Sequence, residues 1–87
     1  EVGQILAVAE NPPDYITFTS SSTVDNFCAL LDEAQLAAIR KKSAVVSIGP
    51  VTSGTCAEHG MIVSVQPRDH TIPALVHAMV VHAEATR

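Results

Sequence analysis

Small hydroxyl-bearing and glycine residues are concentrated in two short segments, Thr19 to Thr23 and Gly49 to Thr55. Each segment precedes a stretch with helical periodicity. The first N–H groups of a helix lack main-chain partners and carry a partial positive charge of roughly half an electron. Hydroxyl groups beside them would complete an anion-binding site without a cationic side chain. The same residues could instead serve only as helix caps, and the residues alone do not decide between the two interpretations.

Other constellations that support chemistry are missing from the sequence. Four histidines are present, but they form no HExxH motif and no pair at i, i+4, so we predict no metal site. There is no GxGxxG or GxxxxGK[ST] motif, no carboxylate pair near the two segments and no spacing that gives a nucleophilic serine a base. Asp69 and His70 could contact a ligand, although a turn with a surface histidine is the favoured interpretation.

The two cysteines, Cys28 and Cys56, fall in segments that read as half-buried helices. Buried thiols of this kind usually act as small hydrophobic side chains. We therefore expect neither a disulfide nor a metal pair nor a nucleophile.

Three runs rich in β-branched residues predict the strands that would position these segments, and helical periodicity follows each run. The runs are Ile16–Ser20, Val45–Pro50 and Met61–Pro67. The order β-α-β-α-β-α predicts an α/β fold with a parallel sheet and crossover helices. Ligands of such sheets bind beyond the carboxyl ends of the strands. The loops there would be Ser20–Thr23, Gly49–Ser53 and Gln66–Thr71.

Helix ends and apolar faces can also be placed from the sequence. Ser22 and Asp25 have the spacing of a capping box, and the helix that follows would bury Val24, Phe27, Cys28 and Leu31. A short helix near Glu33–Lys42 would bury Leu36 and Ile39 and end in the basic residues Arg40, Lys41 and Lys42, at the edge of the sheet away from the binding loops.

Two further helices follow, and one precedes the first strand. The third helix would begin at Val51 or Thr52 and stop at Gly60 in a left-handed conformation. The last would run from Thr71 or Ile72 to about Ala85, with Pro73 in its first turn and an inner stripe of Ile72, Leu75, Val76, Met79 and Val80. Residues Gly3–Glu10 predict a short helix before the first strand.

Size and charge limit the classes of function. The 87 residues, of 9.2 kDa, allow one α/β unit over residues 1–87. Three parallel strands leave two edges, so we expect an incomplete part of a larger domain. A net charge of −4 and a pI near 5.4 argue against nucleic-acid or anionic-membrane partners. No apolar run is long enough for a membrane span or a signal peptide, which predicts a cytoplasmic protein.

Two motifs, FTSSSTV at Phe18–Val24 and IGPVT at Ile48–Thr52, resemble the C-terminal part of uroporphyrinogen-III synthases. The Gly60 turn and the Thr71-Ile72 helix start follow in the same order, and the resemblance runs from about Asp14 to Val81. It implies a two-domain enzyme with flavodoxin-like, three-layer domains, the first built from both chain ends. This segment would supply the C-terminal portion of that first domain, and the rest of the parent chain would complete it.

The resemblance also implies an activity. The family closes hydroxymethylbilane, a linear tetrapyrrole, into uroporphyrinogen III with inversion of ring D and loss of water, in haem biosynthesis, without metal or organic cofactor. Substrate-binding residues carried over by position are Thr19, Ser20, Ser21, Ser22, Gly49, Pro50, Val51 and Thr52. Thr52 is the foremost candidate for side-chain contact with substrate. No catalytic residue is assigned, because the family's tyrosine lies upstream and Tyr15 is at the other end of the sheet. The segment alone would be inactive.

A second class of function is compatible with the same loops. A non-catalytic flavodoxin-like module could use them to bind or sense a phosphate or small carboxylate. A phosphoacceptor receiver would need acidic residues at the strand ends, and none of the three predicted strands ends in Asp. A parent chain with no second α/β half would favour the sensing module.

Overall fold

The computed structural model describes residues 13–86, which form three strands and four helices. In chain order these are β1 Tyr15–Phe18, α1 Ser21–Ala29, α2 Glu33–Lys42, β2 Ala44–Ser47, α3 Pro50–Glu58, β3 Val63–Val65 and α4 Ile72–Ala85. The predicted order of elements is confirmed, and α2 has the predicted bounds. The predicted helix Gly3–Glu10 lies outside the described residues.

The sheet is parallel throughout, in the order β1-β2-β3. Phe18 pairs with Ser47, so the carboxyl ends of β1 and β2 are level. Each strand is shorter than predicted, because Ser20 and Gly49 are already the N-caps of the following helices. The pairing of β2 with β3 shifts register between Val45 and Val46, and Met61 packs into the core from the loop before β3.

Helices cover both faces of the sheet, which gives three layers. The larger core joins one sheet face to α1, α2 and α3, and is built around Phe18, Val24, Ile39, Val45 and Cys56. The smaller core joins the opposite face to α4 through Val46, Val65 and Leu75. The predicted apolar faces of α1 and α2 are confirmed by burial. This is the α/β architecture expected of an incomplete flavodoxin-like domain.

The predicted inner stripe of α4 is partly wrong. Leu75 is buried and Met79 packs against the smaller core, whereas Ile72, Val76 and Val80 are about half exposed, at 54%, 51% and 51%. The face of α4 that packs against the sheet consists of Leu75, Ala78, Met79 and His82, which have the i, i+3, i+4, i+7 spacing of one helix face. A sheet of three strands is too narrow to cover the neighbouring row of α4 as well, which consists of Ile72, Val76 and Val80.

The predicted capping box between Ser22 and Asp25 is also wrong. Ser20 has the extended conformation of an N-cap and accepts a hydrogen bond from the Thr23 N–H group (3.3 Å). Asp25 instead contacts the imidazole Nε2 of His59 on α3 at 2.8 Å. The capping box that does form joins Asp32 and Gln35 at the start of α2.

The end of α3 and the two cysteines agree with prediction. Gly60 has φ +77°, a left-handed conformation that turns the chain back towards β3. Cys28 and Cys56 are buried free thiols, and burial raises the pKa of both. Within residues 13–86, the helices are too short or too polar to cross a lipid bilayer.

Candidate functional site

The two hydroxyl-rich loops lie side by side at the carboxyl edge of the sheet. The Ile48 N–H group donates to the Phe18 carbonyl at 3.1 Å, which joins the ends of β1 and β2. One residue into α1, the Ser21 hydroxyl reaches the Val51 carbonyl in the first turn of α3 (3.5 Å). The helices themselves also pack against each other. Both helix N-termini therefore open on the same edge, as predicted for a shared anion site.

The N-terminus of α3 is open because its N-cap is a glycine. Gly49 has no side chain to accept from the first turn, and Pro50 has no N–H group. The first main-chain hydrogen bond of the helix runs from the Ser53 N–H to the Gly49 carbonyl at 2.9 Å. The N–H groups of Val51 and Thr52 precede that bond. They are donors that a bound carboxylate could use.

The N-terminus of α1 is capped by its own side chains. The Ser20 hydroxyl accepts from the Thr23 N–H group and lies 2.7 Å from the Thr23 hydroxyl and 3.3 Å from the Ser22 hydroxyl. Thr19 and Ser22 are exposed, and Ser20 and Ser21 are half-buried. Ser20 thus caps the helix, and the side chains of Thr19 and Ser22 beside it are exposed to solvent.

A chain of polar contacts fixes the start of α3 against the strand ends. The Ser47 hydroxyl is fully buried and donates to the Gly49 carbonyl at 2.8 Å. Ser53 Oγ lies 2.8 Å from Ser47 Oγ and 2.6 Å from Gln66 Oε1, just after β3. These contacts tie the ends of β2 and β3 to the first turn of α3. The sequence reasoning missed them, because nothing in spacing alone pairs Ser47 with Ser53.

A cavity of about 230 Å³ lies beside the N-terminus of α3 and is lined by Ile48, Gly49, Pro50, Val51, Thr52 and His70. Val51 is 78% exposed, whereas Thr52 is only 5% exposed and reaches the surface through this cavity. His70 comes from the loop between β3 and α4. A Cβ atom added to Gly49 would lie 3.2 Å from the imidazole ring of His70. The glycine therefore lets the ring approach the chain closely.

Ionisable residues are sparse at this edge. The two hydroxyl-rich loops contain none, and the loop before α4 contributes Arg68, Asp69 and His70. Such a site can bind and orient an anion through dipoles and hydroxyls. Among residues 13–86, this edge does not present the paired carboxylates that general acid–base catalysis commonly uses.

A different set of groups lies at the amino edge of the sheet. The Tyr15 hydroxyl and the Nδ1 atom of His82 are 2.7 Å apart, beside a cavity of about 330 Å³ also lined by Asp14 and Lys42. Arg40 pairs with Glu33 along α2. Tyr15 and the basic end of α2 thus lie away from the two loops, as predicted.

Comparison with known proteins gives the family of the chain. A family profile described as uroporphyrinogen-III synthase HemD matches residues 4–77, a range that includes both hydroxyl-rich loops and His70. The chain belongs to the uroporphyrinogen-III synthase family. Two sequence motifs of this family member meet at one edge of the sheet. FTSSSTV forms the end of β1 and the start of α1, and IGPVT joins β2 to α3.

Two curated relatives are similar to most of the chain. A uroporphyrinogen-III synthase from Synechococcus elongatus is 36% identical over 78 residues, which cover 86% of this chain and 30% of the relative. A protein from Methanothermobacter thermautotrophicus, named provisionally as the same enzyme, is 36% identical over 66 residues, covering 76% of this chain and 26% of the relative. The chain therefore spans less than a third of either relative. No solved structure matches it significantly.

Proposed function

We propose that this chain forms part of a uroporphyrinogen-III synthase that closes hydroxymethylbilane into uroporphyrinogen III, with inversion of ring D and loss of water. Membership of the family supports the reaction. The observation that carries the proposal is the contact between Ser21 and Val51, because it brings the starts of two helices to one edge. A polycarboxylate can be held by two such N-termini without a cluster of lysines or arginines.

We assign substrate binding to the residues that line the two loops. In this proposal, the N–H groups of Val51 and Thr52 bind one carboxylate, and the hydroxyl of Ser22 binds another, while the Ser21 hydroxyl holds the two loops together through the Val51 carbonyl. Gly49 and Pro50 leave the helix start open, and Ser20 holds the loop in place through its cap. Thr19 lies at the exposed rim of the same loop. Thr52 adds a hydroxyl from the wall of the cavity.

The chemistry of the substrate explains why such a site would suffice. Hydroxymethylbilane readily loses its hydroxyl group and leaves a cation that the pyrrole stabilises. What the protein must add is a fixed conformation, so that the substituted carbon of ring D attacks instead of the free one. Positioning of this kind can lower a barrier by on the order of 7 kcal/mol or more. The scarcity of ionisable side chains at this edge fits a site that acts mainly by orientation.

We propose that residues 1–87 are the C-terminal portion of a discontinuous domain, which the rest of the parent chain completes. Ile72, Val76, Val80 and Val81 on α4 are each more than 50% exposed, an unusual density of apolar surface for one helix. In the sheet formed by the described residues, β1 lies at an edge. A further strand beside β1 would widen the sheet and provide a layer that α4 could cover.

Assay of the full-length protein that contains this chain tests the function. Hydroxymethylbilane is supplied, and the type I and type III isomers are separated; we expect type III. Thr52→Ala and the isosteric Thr52→Val should both lower the rate. The control is Thr55→Ala, because the Thr55 hydroxyl bonds within α3 to the Val51 carbonyl (3.3 Å). Formation of only the spontaneous type I isomer would refute the enzymatic function and favour a non-catalytic anion-binding module.

Labelling of introduced cysteines tests the proposed domain. In the full-length protein, Val76→Cys and Val80→Cys should react with a maleimide at least tenfold more slowly than a matched variant, His77→Cys. His77 is exposed on α4 between them, outside the apolar row. Native Cys28 and Cys56 are buried and add little background. Equal labelling at all three positions would show that nothing covers this face of α4.

A further inference from the structure

We infer that His70 is a substrate-binding residue of the proposed synthase and that its imidazole holds a substrate carboxylate at the mouth of the cavity beside α3. The inference rests on the proposed function and assigns to it a side chain that neither motif contains. His70 lies in the loop between β3 and α4 and forms one wall of the cavity, opposite the chain from Ile48 to Thr52.

The close approach of His70 to Gly49 supports this role. A Cβ atom on residue 49 would lie 3.2 Å from two ring carbons and 3.3 Å from Nδ1. Gly49 has φ −168° and ψ −180°, an extended conformation open to any residue, so backbone strain does not explain a glycine at this position. What the glycine provides is room for the imidazole beside the open N-terminus of α3.

The surroundings of His70 make it the natural partner of a carboxylate. The loops from β1 to α1 and from β2 to α3 contribute no ionisable side chain, and both the N-cap of α4, Thr71, and its first residue, Ile72, are uncharged. The two charged residues in the loop of His70, Arg68 and Asp69, are exposed and do not line the cavity. An imidazole N–H therefore adds a ring-nitrogen donor to a cavity otherwise lined by main-chain, hydroxyl and apolar groups.

Steady-state kinetics of the full-length protein with hydroxymethylbilane test the inference. His70→Ala should raise KM about tenfold and change kcat by less than about twofold, because a charge-assisted hydrogen bond to the substrate is lost. His70→Gln keeps a side-chain N–H donor and should give a smaller increase. His77→Ala, on the exposed side of α4, is the control.

A double-mutant cycle separates contact with substrate from a structural role. Gly49→Ala should displace the ring and raise KM, and the same substitution in the His70→Ala background should raise KM by a clearly smaller factor, because only the direct effect on the helix start is left. If His70→Ala and His77→Ala both retain the wild-type KM, the inference is overturned while type III formation still supports the proposed function. An equal effect of Gly49→Ala in both backgrounds would also overturn it. Absence of type III product from the wild type would overturn the proposed function itself.

Discussion

Ser53 Oγ lies 2.8 Å from Ser47 Oγ, and this contact joins the first turn of α3 to the end of β2 in the middle of the sheet. Ser47 is fully buried and donates its own hydrogen to the Gly49 carbonyl, so towards Ser53 it can only accept, and it shares the single Ser53 hydrogen with Gln66 Oε1. The helix start that opens on the candidate site is therefore held by side chains behind it. The N–H groups of its first turn remain directed at the edge where a ligand would bind.

We expect Ser53→Ala to lower the free energy of unfolding by about 1 kcal/mol, because the buried Ser47 hydroxyl loses a partner. Chemical denaturation measures this change. The matched control is Ser22→Ala, whose exposed hydroxyl makes only a 3.3 Å contact and should cost less than about 0.5 kcal/mol. Equal costs for the two substitutions would mean that the Ser47–Ser53 contact contributes nothing to stability.

Two glycines of the α3 region should respond to alanine in opposite directions. Gly54 lies inside α3, and a Cβ atom there would meet nothing within 4 Å, so Gly54→Ala should stabilise the protein by about 0.5 to 1 kcal/mol. Gly60 has φ +77°, a left-handed conformation that is unfavourable for alanine, so Gly60→Ala should destabilise the protein by about 1 to 2 kcal/mol. Thermal unfolding of both variants checks the signs. A stabilising Gly60→Ala would show that this turn tolerates a left-handed alanine without strain.

Local sequence signals predicted most of the fold, because helix ends and apolar faces depend on neighbouring residues. The bounds of α2, the Gly60 turn and the buried faces of α1 and α2 follow from such signals. The capping box at Ser22 was wrong because several hydroxyls compete within Thr19–Thr23, and spacing alone did not single out Ser20. The inner stripe of α4 was partly wrong because its burial depends on the width of the sheet.

The candidate site was less accessible to sequence reasoning. Both hydroxyl-rich loops were found, since they follow strands and begin helices. Contacts between elements distant in the chain were not, among them Ser47 with Ser53, His59 with Asp25 and His70 with Gly49. These depend on the register of neighbouring strands and on loop geometry. Periodicity does not encode either property.

Tyr15→Phe should destabilise the protein and leave the kinetics of the proposed reaction unchanged. The Tyr15 hydroxyl lies 2.7 Å from Nδ1 of His82, a half-buried contact that joins β1 to the last turns of α4. Its loss should cost about 0.5 to 1.5 kcal/mol in chemical denaturation. Because the pair lies at the amino edge, we expect KM and kcat for hydroxymethylbilane to stay within about twofold of wild type. A large change in either constant would place this edge in the reaction.

The buried thiols predict a specific loss of stability in alkaline solution. Burial is the main reason why the pKa values of Cys28 and Cys56 lie above the ordinary value of 9.0. The negative charge of Asp25 raises the pKa of Cys28 further, and the nearby Cys28 thiol raises that of Cys56. The unfolded chain therefore ionises first, so these thiols stabilise the fold fully below pH 9.0, and their contribution falls as the pH rises through the folded pKa. Urea unfolding from about pH 7 to about pH 10 should show a steeper decline for the wild type than for Cys28→Ala/Cys56→Ala. Parallel pH profiles would mean that both thiols ionise equally readily in the folded and unfolded chains.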